Sequence, residues 1–380
     1  MSSPAPSIYH DHLPVDSDET DYDTYFDGGI TLNLWLTHHP PRPAPIDYRY
    51  ENGRRYHAYH AGSYWAPNDE AAATQEEIFH HVYLMRLNGS LFLAPVDKHE
   101  KPKKILDLGT GSGNWCLDMA HAFPETEIIG NDLSPIQPTY VPPNVSFEVD
   151  DFNDEWLFPA NNFDFVHGRA MYGSVKDWDV LLKRVLRVLK PGGWWENVET
   201  TVEILCDDGS VPDDCALMQW VKIMQDACES SGATFRVAGH MREWCEKAGF
   251  TEITEQAFKV PIGPWPRDKQ DKLVGSFNLA NMLQAVEGFS MHLLTRYGNK
   301  NPNEVYELIE KVRADMKNKK LHSYFRLFVC YARKPEKEEA RPPSRGSTIH
   351  PQGPGTAAQS GGETETECGS IAEESEDHDD

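Results

Sequence analysis

Ile78, Phe79, Val82 and Met85 recur at helical spacing behind a start signal at Pro67-Asn68-Asp69 and stop at Asn88-Gly89, which predicts a helix ahead of the first strand. Lys103 to Leu108 is a short apolar run and reads as a buried strand; Asn114 to Phe123 returns to helical periodicity. Glu127 to Asn131, residues 144–151 and the run "FDFVHGRAM" from Phe163 read as the second, third and fourth strands. Asp177 to Lys190 is an amphipathic helix, with Ser174 and Asp177 as its capping box and Pro191-Gly192-Gly193 as its stop. "WWENVET" is the fifth strand. Strands alternating with helices of this length predict an α/β fold with a parallel sheet covered on both faces. The aromatic stretch holding Tyr50, Tyr56, Tyr59, Tyr64 and Trp65 reads as a lid over a ligand or, more simply, as an arm packed on the body.

Composition sets the limits of this picture. With 380 residues and 39% hydrophobic content, the chain can bury a sizeable core as one large domain with insertions or as two domains. The formal charge of −24 is concentrated at the ends: residues 1–30 hold seven carboxylates and no Lys or Arg, and residues 336–380 hold twelve against Lys337, Arg341 and Arg345. Neither end invites a phosphate backbone, and no helix-turn-helix or zinc finger with a basic face is present, so direct nucleic-acid binding is not expected. Both ends are read as flexible. The seven cysteines are scattered without a CxxC pair, which fits reduced thiols, and neither a leader pattern nor a membrane-length apolar run is present. The expectation is an intracellular chain. His57, His60, His80 and His81 lack a third ligand at a recognisable spacing, so no metal is expected.

The candidate chemistry lies in "ILDLGTGSGNWCLDMAHAFPETEIIGND", residues 105–132. Gly109, Gly111 and Gly113 are spaced GxGxG, which departs from the dinucleotide fingerprint, and no Gly-Lys-Ser/Thr follows to make a triphosphate loop. Such a loop lets backbone N–H groups and a helix start approach a ligand carboxylate or sugar. Asp107 is placed to fix that loop or to receive the amino group of a zwitterionic ligand. Asp132 ends the second strand nineteen positions after Gly113, where an acidic residue meets ribose hydroxyls. Asp151 offers an acceptor for an exocyclic amine, and Phe152 an apolar wall for a base. The glycine loop with Asp107 fits an amino-acid-bearing nucleoside, Asp132 fits an adenosine of either a dinucleotide or a methionine nucleoside, and three carboxylates at three successive strand ends are hard to obtain by chance.

"ILDLGTGSGNW", "GNDLSPIQP", "FDFVHGRAMYGSVKDW" and "VLKPGGWWENVE" resemble the successive motifs of class I S-adenosylmethionine-dependent methyltransferases. More narrowly, "ENGRRYHAYHAGSYWAPNDE", "FKVPIGPWPRD" and "LHSYFRLFVCYARKP" are similar to the LaeA-like methyltransferases of filamentous fungi. The resemblance implies a Rossmann-like sheet of seven strands with an antiparallel last strand, "EITEQAFKV" being the sixth and "YFRLFVCYA" the last. It implies a methyltransferase domain over 45–335 between an acidic, Pro-rich segment 1–44 and an acidic tail 336–380, with helical lid insertions near 201–245 and 261–320. It also implies that Asp107, Gly109, Gly111, Gly113, Asp132, Asp151 and Phe152 hold S-adenosyl-L-methionine. Around the donor methyl, His167 is the candidate base, Arg169 an anion clamp, Tyr172 a wall with a hydroxyl and Glu199 a polar orienter. The LaeA type regulates secondary metabolism and development in the nucleus with velvet-type partners, while other relatives modify small metabolites. The resemblance thus implies a regulatory role through a protein complex, in the nucleus or cytoplasm. The alternative is a biosynthetic enzyme with a small-molecule acceptor.

Overall fold

The computed structural model describes residues 13–15, 48–57, 59–60, 64–98 and 100–336. Its first paired element was not foreseen. Arg49–Glu51 (β1) and Arg54–Tyr56 (β2) form an antiparallel hairpin turning at Asn52 and Gly53, with φ of 50° and 77°. Asn-Gly is the dipeptide whose left-handed conformation matches the twist of such a hairpin. Asp69 then caps the predicted helix, α1 (Glu70–Arg86), accepting from the Ala72 N–H at 3.0 Å. The same carboxylate takes two bonds from Arg54, at 2.6 and 2.8 Å, so it ties the hairpin to the helix start.

The sheet elements follow the apolar pattern closely. They are β3 (Lys104–Leu108), α2 (Asn114–Ala122), β4 (Glu127–Asp132), β5 (Val145–Val149), β6 (Phe163–Arg169), α3 (Trp178–Val188) and β7 (Leu189–Thr200). Beyond them come α4 (Ala216–Ser230), α5 (Met241–Ala248), β8 (Thr251–Pro261), α6 (Lys269–Arg296), α7 (Pro302–Lys317) and β9 (Tyr324–Arg333). The seven long strands run in the order β5-β4-β3-β6-β7-β9-β8. β9 is antiparallel to both neighbours and lies between β7 and β8, inside the sheet. The order reverses between β3 and β6, and it is outside the carboxyl ends of strands at such a switch point that open α/β sheets bind ligands.

Three local readings are corrected. Asp177 itself is the N-cap of α3, accepting from the Val180 N–H, so Ser174 lies outside the helix and the capping box is absent. α3 buries Trp178, Leu181, Leu182, Val185 and Val188, an apolar stripe that contributes roughly 10 kcal/mol. A cap contributes about 1 kcal/mol, so packing sets the helix register. Pro191-Gly192-Gly193 is not a stop either: α3 ends at Val188 and these residues lie within β7, which pairs with β6 from Leu189 onward. Asp151 lies two residues past the end of β5 rather than on the strand.

The hydrophobic core has a large part around α1, α3, α4, α6 and α7, and a smaller part around Ile105, Trp115, Met119 and Phe165. α6 packs along α1 and contacts α4, α7 and β8, and through residues 284–289 it covers the cleft at the carboxyl ends of β3 and β6. Within the N-terminal segment, Leu13 is buried against Trp265 and Tyr324, and Val15 bridges Pro266. The remainder of 1–44 and the tail from 337 lie outside the described residues. No helix among the described residues is long and apolar enough to cross a membrane.

Candidate functional site

The loop from β3 into α2 builds the floor of the main cleft. Gly109, Gly111 and Gly113 have φ of 64°, 57° and 83°, conformations that L side chains disfavour. A Cβ on Gly111 would lie 2.7 Å from Glu76 Oε2, and one on Gly113 2.5 Å from the Phe147 ring. The glycines therefore serve both the turn and the close approach of neighbouring side chains.

The loop N–H groups behave differently from the expectation that they would face a ligand. Gly109 N–H donates to Asn131 Oδ1 (3.3 Å), Gly111 N–H to Asp132 Oδ2 (2.9 Å) and Ser112 N–H to Glu76 Oε2 (2.8 Å). Gln137 donates to the Gly111 carbonyl at 2.6 Å. Protein carboxylates and amides thus hold the loop rigid. Loss of hydration raises Glu76 to about 7 and Asp132 to about 6, and in both cases the backbone N–H bonds work against that rise.

The facing wall comes from the end of β6. His167 Nδ1 lies 2.7 Å from Asp107 Oδ1, and its ring stacks on Trp115 at 3.9 Å with planes 3° apart. Burial lowers the His167 pKa even against the pull of Asp107. The imidazole Nδ1–H donates to Asp107, which leaves the buried Nε2 without a partner. The Arg169 guanidinium lies over the Tyr83 ring at 4.6 Å and makes no hydrogen bond or ion pair among the described residues. The Tyr83 hydroxyl is buried and also without a partner. Burial lowers the Arg169 pKa, and Tyr83, Asp107 and Glu76 pull it back up.

A cleft of about 160 Å³ joins these groups. Asp107, Gly109, Gly111, Asp132 and Phe152 of the expected donor set line it, as do His167, Arg169 and Tyr172. Gly113, Asp151 and Glu199 are not among its lining residues. Gly113 instead forms the N-cap of α2. Asp151 is buried, accepts from Asn153 and pairs with His60 Nδ1 at 3.1 Å; burial raises its pKa, but these bonds outweigh it and hold it below the usual range. His60 is also 3.6 Å from Asp154, so one of the histidines does meet two carboxylates.

Glu199 is the clearest departure. Its carboxylate accepts from the N–H groups of Met171 (2.9 Å) and Tyr172 (3.2 Å) and from Asn197 (3.0 Å). Burial raises it to about 7. It shapes the turn that carries Tyr172 and does not reach the cleft.

The residue reading missed Glu76, Tyr83 and Phe289. Glu76 lies 36 residues before its bond partner in the chain, and only the packing of α1 brings it to the glycine loop. Phe289 comes from the roof helix α6. A second, smaller recess of about 60 Å³ shares Trp65, Phe79, Tyr172 and Phe289 with the main cleft and runs on between α4, α6 and the start of the 201–215 segment.

The strand order, the single antiparallel strand inside the sheet and a glycine-floored cleft at the switch point define a class I methyltransferase fold. A methyltransferase-domain family model matches residues 79–255. Among curated relatives, methyltransferase pytC of Aspergillus terreus is 43% identical over 289 residues, covering 76% of this chain and 88% of that protein. The secondary metabolism regulator LAE1 of Cochliobolus heterostrophus is 34% identical, covering 78% of this chain and 98% of that one, and laeA of Aspergillus niger is 36% identical over 75% and 76%. The chain belongs to this family of fungal LaeA-like methyltransferases. Solved structures are more distant: phosphoethanolamine N-methyltransferase 2 of Haemonchus contortus has 20% identity and a TM-score of 0.41, over 70% of this chain and 59% of that one.

Proposed function

We propose that the chain transfers a methyl group from S-adenosylmethionine held in the main cleft. The observation that carries this reading is the mixed charge of the wall: Arg169, without an ion pair, lines it together with the carboxylates Glu76, Asp107 and Asp132, while Arg54, which also lines it, is already paired with Asp69. A zwitterionic donor with an added positive centre matches such a wall, since Arg169 and the Tyr83 hydroxyl offer donors to its carboxylate while Glu76 and Asp107 favour its cationic part. Asp132 serves the ribose hydroxyls, and the Phe152 ring, 3.4 Å from the Cβ position of Gly109, gives the base an apolar face.

When bound, the donor supplies an electrophilic methyl on sulfur. The chain's own work is then positioning and exclusion of water, for which α6 and the segment around Trp65 form the cover. His167 turns its Nδ1 toward Asp107 and so keeps that carboxylate oriented within the cleft wall.

Calorimetric titration with S-adenosylhomocysteine tests the donor site. Arg169→Ala is expected to weaken binding by about 10- to 100-fold, the usual worth of a hydrogen bond to a charged group. Absence of binding, or unchanged affinity in Arg169→Ala, would remove the assignment.

The acceptor is read as a small molecule, because a second recess opens directly off the donor cleft. The regulatory reading is favoured by the relatives that are named secondary metabolism regulators. Under it, velvet-type partners and a nuclear or cytoplasmic location would follow.

A further inference from the structure

The second recess has a composition that the donor cleft lacks. Its walls are Ile204, Val221, Met224, Met282, Phe235 and Phe325, together with the aromatic residues it shares with the cleft. The one carboxylate on its lining, Glu203, is exposed at the rim.

Its polar side chains are already bonded within the protein. Asn281 accepts from Gln75 at 2.6 Å and donates to Asn278 at 3.3 Å. Trp220 Nε1–H donates to Ser290 at 2.8 Å, the Thr201 hydroxyl accepts from the Arg326 N–H, and the Tyr172 hydroxyl bonds to Thr200. Among the described lining residues, one buried polar atom is left without a partner: Trp65 Nε1. Trp65 stands where the two cavities meet, with its ring centroid 5.1 Å from that of Phe289 and 6.3 Å from that of Tyr172.

We infer that this recess is the acceptor site and that it takes a neutral, largely apolar ring-bearing small molecule whose hydroxyl lies at the junction beside Trp65. The inference rests on the donor reading of the main cleft and names the acceptor of that same site. A charged ring substituent would be desolvated here without any opposite charge to pair with, which excludes carboxylates and sulfonates from the recess. An apolar ring replaces water against aromatic and aliphatic walls. In the transfer, the hydroxyl oxygen of the acceptor forms the new O–CH₃ bond with a lone pair. The S–CH₃ bond of the donor breaks with its electron pair remaining on sulfur, and the hydroxyl proton is released to water at the cleft mouth.

Binding of 2-naphthol to the full chain, with and without S-adenosylhomocysteine and read by quenching of tryptophan fluorescence, tests this assignment. Saturable binding is expected for 2-naphthol, and 2-naphthalenesulfonate should bind about tenfold more weakly or worse. Met224→Trp and, as a second variant, Val221→Trp fill the recess from α4. Each should weaken 2-naphthol by about tenfold or more while S-adenosylhomocysteine affinity, measured by calorimetry, stays within about threefold of wild type. That retained affinity also shows that the variants fold. No saturable naphthol binding, equal binding of the sulfonate, or naphthol binding indifferent to both variants would overturn the inference. Loss of S-adenosylhomocysteine binding in the wild-type chain would instead overturn the donor reading beneath it.

Discussion

At the scale of single residues, the carboxylates around the site also hold backbone. Glu76, Asp132 and Glu199 all accept main-chain N–H groups next to the cleft; of the two arginines lining it, Arg54 is paired with Asp69 and Arg169 is left without an ion pair. Gly111 shows how tightly this is built. In Gly111→Ala the new Cβ would meet Glu76 Oε2 and force it off the Ser112 N–H, so S-adenosylhomocysteine affinity is expected to fall about tenfold. Gly89 also has positive φ but nothing within 4 Å of a Cβ. Gly89→Ala should therefore lose about 1 kcal/mol of stability from backbone strain alone and keep donor affinity, which separates strain from collision. Calorimetric titration and denaturant unfolding of both variants read the difference.

Among the elements, Asp69 joins two that the sequence presents separately. Asp69→Ala removes both the α1 cap and the partner of Arg54, with an expected loss of about 2 kcal/mol or more. A lower denaturant midpoint at unchanged slope would report it. β3, β4, β6 and α3 were legible because each buries a continuous run or a stripe, and the apolar rhythm carries that directly, whereas β8 and β9 were expected only from the family resemblance. That Gly109, Gly111 and Asp132 would line one cleft was legible because their spacing is local. Glu76 was not, since a single Glu on a helix has no local mark that it will meet a loop 36 residues away. Glu199 was misplaced for the opposite reason: a carboxylate at a strand end looks the same in sequence whether it faces a ligand or folds back on its own turn. The β1/β2 hairpin had a readable signal in Asn52-Gly53, hidden by the attention that its flanking aromatics draw.

For the molecule as a whole, buried ionisable groups pull stability in opposite directions. Burial raises Glu196 to about 7, with bonds from the Leu93 and Ala94 N–H groups opposing the rise. Its native state thus binds a proton more tightly than the unfolded chain, and its contribution is lost as pH rises from about 4.5 to about 7. Burial lowers His80 and His292 to about 4, so these two lose stability as pH falls from about 6.5 to about 4. The windows overlap, so a single-site comparison is the clean measurement. Glu196→Gln keeps an acceptor for both N–H groups and removes the titration. Its stability relative to wild type should rise by about 3 kcal/mol between pH 4.5 and pH 8, as followed by urea unfolding.

The central claim at this scale is that a methyl group leaves S-adenosylmethionine in the cleft between β3 and β6 and arrives on a small molecule. Radiolabelled donor, incubated with the chain and an extract of a filamentous fungus and then divided into organic-soluble and protein-precipitable fractions, tests it most directly. The account predicts label in the organic-soluble fraction with the wild-type chain and its loss with Arg169→Ala. Label confined to the protein fraction, or no label above the enzyme-free control, would contradict it.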